Sequence, residues 1–136
     1  MVKSGVYLAV ASGSALGALL RYACYLGIPV STDSLPLASL LVNIAGSFLI
    51  GVIASISAMG GCWPLSDWQK QGLVAGVCGG FTSFSIVSLE LLFMLKQQQW
   101  LLAGAYMVLS IGLWLLACWA GLRSGQRCNR VFNAIQ

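Results

Sequence analysis

Residues 79–85, "GGFTSFS", place two glycines, a threonine and two serines inside a long apolar run. Glycine costs about 1 kcal/mol per residue in a helix interior relative to alanine, so we expect a helix through this run to break here. A break frees backbone carbonyls, which lipid cannot satisfy, and they must bind water, a neighbouring segment or a cation. The chemistry indicated is therefore carbonyl coordination of an alkali cation. The alternative is a kink sealed by back-bonding serine and threonine side chains.

Two polar side chains of the apolar runs could act on an anion. Asn43, within "LLVNIAGSFLIG", could aim its amide N–H groups at an anion or water path, or make an interhelical hydrogen bond of about 0.6 kcal/mol. Arg21, at the end of the first apolar run, could concentrate anions at a vestibule or snorkel to the headgroups. Both residues are candidates for an ion path.

Phe84 and Glu90 are weaker candidates. An aromatic ring has a positive edge that can contact an anion, and Phe84 follows the expected break on a face that it could share with Asn43. Most membrane phenylalanines only pack or face lipid. Glu90 lies one to two turns before Lys96, so we expect a structural role, close to the interface and paired there.

Most catalytic chemistry has no residues to carry it. The chain has no histidine, its five cysteines show no Cys-x-x-Cys spacing, and its three acids, Asp33, Asp67 and Glu90, are scattered. We therefore expect neither an enzyme nor a histidine or cysteine metal site. The basic residues lack interleaved aromatic residues, so we expect no nucleic-acid partner.

The elements that position these residues must be membrane helices. Of the 136 residues, 59% are hydrophobic and only 7% charged, so membrane lipid must surround most of the surface. Uncharged runs long enough to cross a bilayer, which takes roughly 20 residues, predict one four-helix transmembrane domain over 1–136. The helices are expected at about 4–26, 36–58, 68–95 and 99–122. The first is too long for a removed signal peptide.

The distribution of basic residues predicts an orientation. Lys3, Lys70, Arg123, Arg127 and Arg130 fall on the side of the two termini, against Arg21 and Lys96 on the other. Lysine and arginine concentrate in cytoplasmic segments, so this bias favours both termini inside. Small residues recur every fourth position at Ala9, Gly13 and Gly17, and again at Gly76 and Gly80, which indicates close helix packing or a dedicated interface. We expect an oligomer, because one four-helix protomer is too small to enclose a water-filled path.

Four segments together resemble the CrcB/Fluc family of fluoride channels: "GALLRY" (17–22), "VNIAGSFLIG" (42–51), "GVCGGFTSFSIVSLE" (76–90) and "YMVLS" (106–110). The resemblance implies an all-α membrane protein whose third helix is broken mid-membrane. It also implies an antiparallel dual-topology dimer in the bacterial inner membrane. Such a dimer exports fluoride through two pores to limit its toxicity and holds one structural, non-transported sodium ion (Na+) at its centre.

The resemblance also assigns roles to individual residues. The backbone carbonyls of Gly79 and Thr82 would hold the sodium ion, while Arg21 and Glu90 would have vestibule or structural roles. The fluoride path would be lined by Asn43, Ser83, Phe84, Ser85, Tyr106 and Ser110. Amide and hydroxyl donors at close spacing can replace the water shell of a small, tightly hydrated anion.

One dipeptide departs from the family pattern: Ile86-Val87 stands where members have Thr-Phe, so the second pore phenylalanine is missing. An antiparallel homodimer also needs nearly balanced loop charges, whereas the bias here favours one orientation. A non-conducting or partner-dependent subunit of a heterodimeric fluoride channel is therefore an alternative. A small multidrug-resistance-type transporter is another, although the first helix lacks the carboxylate that such a transporter needs.

Overall fold

A computed structural model of the chain describes residues 4–28, 35–58 and 61–135, which leaves Lys3 and Asp33 outside the described residues. The described part is helical and contains no strand. Helices α1, α2, α4 and α5 cover Ser4–Gly27, Leu37–Ile56, Phe84–Lys96 and Trp100–Ile135. Helix α3 begins as Asp67–Gln71, continues as a π-helix over Gly72–Cys78 and finishes as Gly79–Phe81.

Four segments of this chain are long and apolar enough to cross a membrane: Ser4–Gly27, Leu37–Ile56, Asp67–Lys96 and Trp100–Ile135. The third segment combines α3 and α4. The prediction of an all-α membrane protein with four transmembrane helices is confirmed, and the chain is a multi-pass membrane protein.

The third span is broken at Thr82 and Ser83, as predicted. Both residues have extended backbone, with φ and ψ of −79° and 155° at Thr82 and −153° and 109° at Ser83. The chain resumes its helix at Phe84. The π-helix just before the break was not predicted, and its wider turns lie where α3 packs on α1.

Glycine seams join the helices in two pairs. In the first pair, α1 packs on α3 through Gly13 and Gly17, and a methyl group added at Gly13 would lie only 3.1 Å from Gly76 Cα. At Gly80, an added methyl would clash with the Ser14 backbone. The small-residue pattern therefore serves helix packing inside the protomer.

The second pair, α2 with α5, has a seam that the sequence analysis did not identify. A side chain at Gly51 would clash with the carbonyl oxygen of Cys118, and one at Gly121 with that of Phe48. Backbone-to-backbone approach of this kind lets two membrane helices associate where lipid supplies no hydrophobic drive.

A short turn connects the two helices of the C-terminal half. A short turn at Gln97–Gln99 reverses the chain, with Gln98 in the left-handed region at φ 59°, so α4 and α5 lie antiparallel and adjacent.

The predicted end of the last helix at 122 was wrong, because α5 continues to Ile135. The extension contains no proline and packs on the end of α2 through Gly125, which contacts Ser55.

The α1–α3 seam is tested by Gly17→Val. The new side chain would clash with the Val77 carbonyl oxygen and the Phe81 amide, and overpacking of this kind costs about 2–3 kcal/mol. We expect a lower melting temperature for the full chain in detergent. Gly104→Ala is the matched control, because Gly104 has open space around it and alanine is the better helix former. Equal melting temperatures for the two variants would contradict the close packing of α1 on α3 at Gly17.

Candidate functional site

Asn43 closes the gap in the third span. Its side-chain Oδ1 accepts a hydrogen bond from the Ser83 N–H at 2.8 Å, and its Nδ2 donates to the Ser83 carbonyl at 3.4 Å. Asn43 is only 5% exposed. A carboxamide both donates and accepts, so one side chain replaces two backbone partners that the break removes. The interhelical hydrogen bond is thus present, and a second N–H of the same amide is left over.

Hydroxyl groups seal the two helix ends at the break. The Thr82 hydroxyl donates to the Cys78 carbonyl at 3.0 Å, and the Ser83 hydroxyl accepts from the Ile86 N–H at 3.4 Å. Ser85 lies 3.1 Å from Ser83, oxygen to oxygen, so these two hydroxyls form one polar pair. Back-bonding therefore occurs, but it covers only part of the freed backbone.

Two carbonyls at the break are not closed by helix hydrogen bonds. The Thr82 carbonyl accepts from Arg21 Nη1 at 3.2 Å, so the half-buried Arg21 reaches the break from α1. The Gly79 carbonyl would pair with the Ser83 N–H in a continuous helix, but that N–H donates to Asn43 instead. The break thus presents two carbonyl oxygens close together in sequence.

A cavity of about 170 Å³ lies beside the break, lined by Asn43, Ser47, Ile50, Thr82, Phe84 and Trp114. Asn43 and Phe84 both line the cavity, which agrees with the expectation that they could share a face. The ring of Phe84 is 64% exposed on this protomer. The cavity therefore offers an amide N–H and an aromatic ring at one place on the chain.

Trp114 is a cavity residue that sequence reasoning missed. Its indole Nε1 is buried and has no hydrogen-bond partner among the described residues. Tyr106, Ser110 and Trp114 are spaced four apart on α5, so they share one face of the helix. Extending the Tyr106–Ser110 pair by one further turn would have identified it. The Ser110 hydroxyl is likewise buried without a partner in the described segments.

Glu90 connects all four spans. Its carboxylate accepts hydrogen bonds from Ser39 and, at 2.8 Å, from the Tyr106 hydroxyl, while the Tyr25 hydroxyl lies 2.8 Å from Ser39 Oγ. Pairing with Lys96 was the expectation, but the hydrogen bonds of Glu90 within the described residues go to these hydroxyls. Tyr106 is fully buried. Its hydroxyl is already committed to Glu90.

Val87 and Ile86, which depart from the family pattern, do not line the cavity. Val87 is 1% exposed and belongs to the core cluster that contains Leu40 and Tyr106. Ile86 is half-buried. A phenylalanine at 87 would have to displace well-packed side chains within this protomer.

The bridge between Asn43 and Ser83 is tested by Asn43→Leu. Leucine leaves the Ser83 N–H and carbonyl without partners, which costs about 1–3 kcal/mol per buried group. We expect a lower melting temperature and faster hydrogen exchange in a peptide that spans residues 79–90. Ser47→Ala, one turn further along α2 and lining the same cavity, is the control and should change neither. Unchanged exchange in Asn43→Leu would show that Asn43 does not close the break.

Known proteins resemble this chain over most of its length. The family model described as "CrcB-like protein, Camphor Resistance (CrcB)" matches residues 8–122. A protein of Paramagnetospirillum magneticum named fluoride-specific ion channel FluC is 40% identical over 91% of this chain and 98% of its own length. Another of that name, from Rhodospirillum rubrum, is 40% identical over 85% of this chain and 90% of its own.

A less similar relative is also named as a fluoride channel. The protein of Geobacillus kaustophilus named fluoride-specific ion channel FluC 2 is 34% identical over 89% of this chain and 93% of its own length. The family match includes parts of all four membrane-spanning candidates, and it contains the break with Asn43 and Phe84 beside it. This chain belongs to the CrcB-like family.

Proposed function

We propose that this chain is a subunit of a fluoride-selective ion channel that exports fluoride and so limits its toxicity. The observation that carries the proposal is the cavity at the break, which Asn43, Phe84 and Trp114 line together. The Trp114 indole N–H is buried and has no hydrogen-bond partner among the described residues. Amide and indole N–H groups and the edge of an aromatic ring are all electropositive toward an anion. The names of the relatives support the same substrate. The protein is a channel and not an enzyme.

Fluoride selectivity follows from this donor set. Fluoride is small and strongly hydrated, so a path must offer close-spaced donors in place of its water shell. Indole N–H is a donor only, and the spare amide N–H of Asn43 is a second donor. The positive edge of Phe84 adds attraction without a buried cation. Ser83, Ser85 and Ser110 would provide further hydroxyl donors to the fluoride path.

Arg21 and Glu90 act beside the path rather than in it. Arg21 holds a carbonyl of the break, where its charge also attracts anions toward the site. Glu90 accepts one hydroxyl hydrogen bond on each carboxylate oxygen, so it fixes the four spans relative to one another and keeps Tyr106 in place. A structural carboxylate engaged in this way repels fluoride less than a free one.

The working unit is a dimer in the bacterial inner membrane. Phe84 is 64% exposed on one protomer, and a ring that guides an anion needs a second surface to complete the path. A second chain inserted antiparallel would supply that surface. A heterodimer with a homologous chain is the alternative. The resemblance places a second pore phenylalanine where this chain has Val87, and a partner chain would then supply that ring.

A structural sodium ion fits the break. The carbonyls of Gly79 and Thr82 are among those that the break releases from helix hydrogen bonding. Carbonyl oxygens are hard ligands suited to alkali cations. When bound, the ion would neutralise the freed carbonyl dipoles and fasten the chains together without being transported. Arg21 already donates to the Thr82 carbonyl, so its guanidinium competes for that ligand.

Sodium binding is tested by the melting temperature of the detergent-purified chain across a series of sodium concentrations. A ligand that binds only the folded state raises the melting temperature as its concentration rises. We expect sodium, but not potassium or N-methylglucamine at equal ionic strength, to do so. Arg21→Gln should move the midpoint to lower sodium concentration, whereas Arg130→Gln, in the α5 extension, should not. Identical responses to all three cations would refute the sodium site.

Transport is tested by fluoride efflux from liposomes that contain only this chain, with chloride as the control ion. We expect fluoride-selective efflux. Trp114→Phe keeps the aromatic ring but removes the N–H, and one lost hydrogen bond of about 1 kcal/mol predicts a roughly fivefold slower rate. Trp100→Phe, on an exposed residue outside the cavity, should leave the rate unchanged.

The outcomes of the efflux experiment separate the two forms of the channel. No efflux from the chain alone, followed by efflux when a homologous chain is co-reconstituted, would replace the homodimer with a heterodimer. No fluoride efflux in either arrangement would refute the channel. Full activity of Trp114→Phe would remove Trp114 from the path.

A further inference from the structure

Two cysteines that are distant in the sequence meet at the end of the bundle. Cys62 lies in the segment between α2 and α3, and Cys128 lies in the α5 extension, 66 residues away. Their Sγ atoms are 3.3 Å apart, and both are free thiols. Cys128 is exposed and Cys62 is half-buried, so reagents in water can reach the pair.

Groups other than the thiols hold this arrangement. Asn129 Oδ1 accepts from the Cys62 N–H at 2.9 Å, and Asn129 Nδ2 donates to the Ser55 carbonyl at 2.9 Å. Gly125, one turn earlier on α5, packs directly on Ser55. One asparagine therefore ties the end of α2, the following loop and α5 together. The thiols are thus brought into contact without a covalent bond between them.

We propose that Cys62 and Cys128 form a reversible dithiol–disulfide pair that, when oxidised, fastens the α2–α3 loop to the α5 extension. The other three cysteines do not share this property. Cys24, Cys78 and Cys118 contact no second cysteine in the part of the chain that the structure describes.

A small disulfide such as oxidised glutathione is a sufficient oxidant. The exposed Cys128 attacks as a thiolate, forming a mixed disulfide and releasing one glutathione thiolate. Cys62 then loses its proton and attacks the Cys128 sulfur, which releases the second glutathione. Two protein thiols and one glutathione disulfide thus give one protein disulfide and two glutathione thiols, and excess reduced glutathione reverses both steps.

The order of attack follows from the environment of the two thiols. Hydrogen bonding with Cys128 raises the pKa of the Cys62 thiol, so Cys62 gives up its proton less readily. Cys128 is the more accessible sulfur and reacts first. Cys62 is then already in place as the resolving thiol.

The bond is tested on the full-length chain in detergent, incubated with oxidised glutathione and then alkylated. We expect two of the five thiols to be lost, and digestion with mass spectrometry to recover a peptide pair joined through Cys62 and Cys128. The melting temperature should rise by several degrees and return after treatment with dithiothreitol, because a crosslink over a long loop restricts the unfolded chain.

Variants make the assignment specific. Cys62→Ser and Cys128→Ser should each abolish the crosslink and the rise in melting temperature, whereas Cys24→Ser and Cys118→Ser should keep both. Five alkylated thiols after oxidation would overturn the proposal. So would separate glutathione adducts at the two cysteines, or a disulfide between two chains. These measurements do not use fluoride, so their failure is distinguishable from failure of the proposed channel.

Discussion

The pairing of the Asn43 side chain with the backbone of Ser83 is the interaction on which the rest of the site depends. Lipid offers no hydrogen bonds, so a helix can stop inside the membrane only where the protein supplies replacements. Asn43 supplies both a donor and an acceptor at one residue. It thereby fixes where the third span stops, where α4 restarts, and how α2 lies against the break. The positions of Phe84 and of the cavity beside it follow from where α4 restarts.

Close packing of α2 on the break makes this pairing geometrically possible. A side chain as short as asparagine reaches a neighbouring backbone only if the two segments are close, and a methyl group added at Gly46, three residues after Asn43, would clash with the Thr82 side chain. The same closeness lets Arg21 of α1 reach the Thr82 carbonyl. Small residues at the helix contacts therefore determine which polar groups come within hydrogen-bond distance. Those hydrogen bonds in turn stabilise the packing in lipid, where unpaired polar groups are costly.

Some polar groups inside the bundle have hydrogen-bond partners, and others have none among the described residues. We assign structural roles to the first kind and propose roles in transport for the second. Glu90 has its carboxylate occupied by hydroxyl donors from two other spans, so it holds the helices together. The Trp114 indole and the Ser110 hydroxyl have no acceptor in the described residues. An unpaired buried donor is costly in a membrane unless something binds it. Under the proposed function, an anion that passes along α5 would be such a partner.

The sequence alone determined the environment, the number of spans, the break and the family, because these depend on hydrophobic run lengths, local glycine and hydroxyl content, and motif order. It also pointed to Asn43 and Phe84, since a polar or aromatic residue near a break is visible without coordinates. Only the tertiary structure decided what each side chain contacts. Trp114 reads as an ordinary membrane tryptophan until it is found lining the cavity, with its indole N–H buried and without a partner in the described residues. Nor does the sequence show that Val87 packs in the core cluster of this protomer. Such roles arise from helix rotation and close packing between segments far apart in the chain, and no local pattern encodes them.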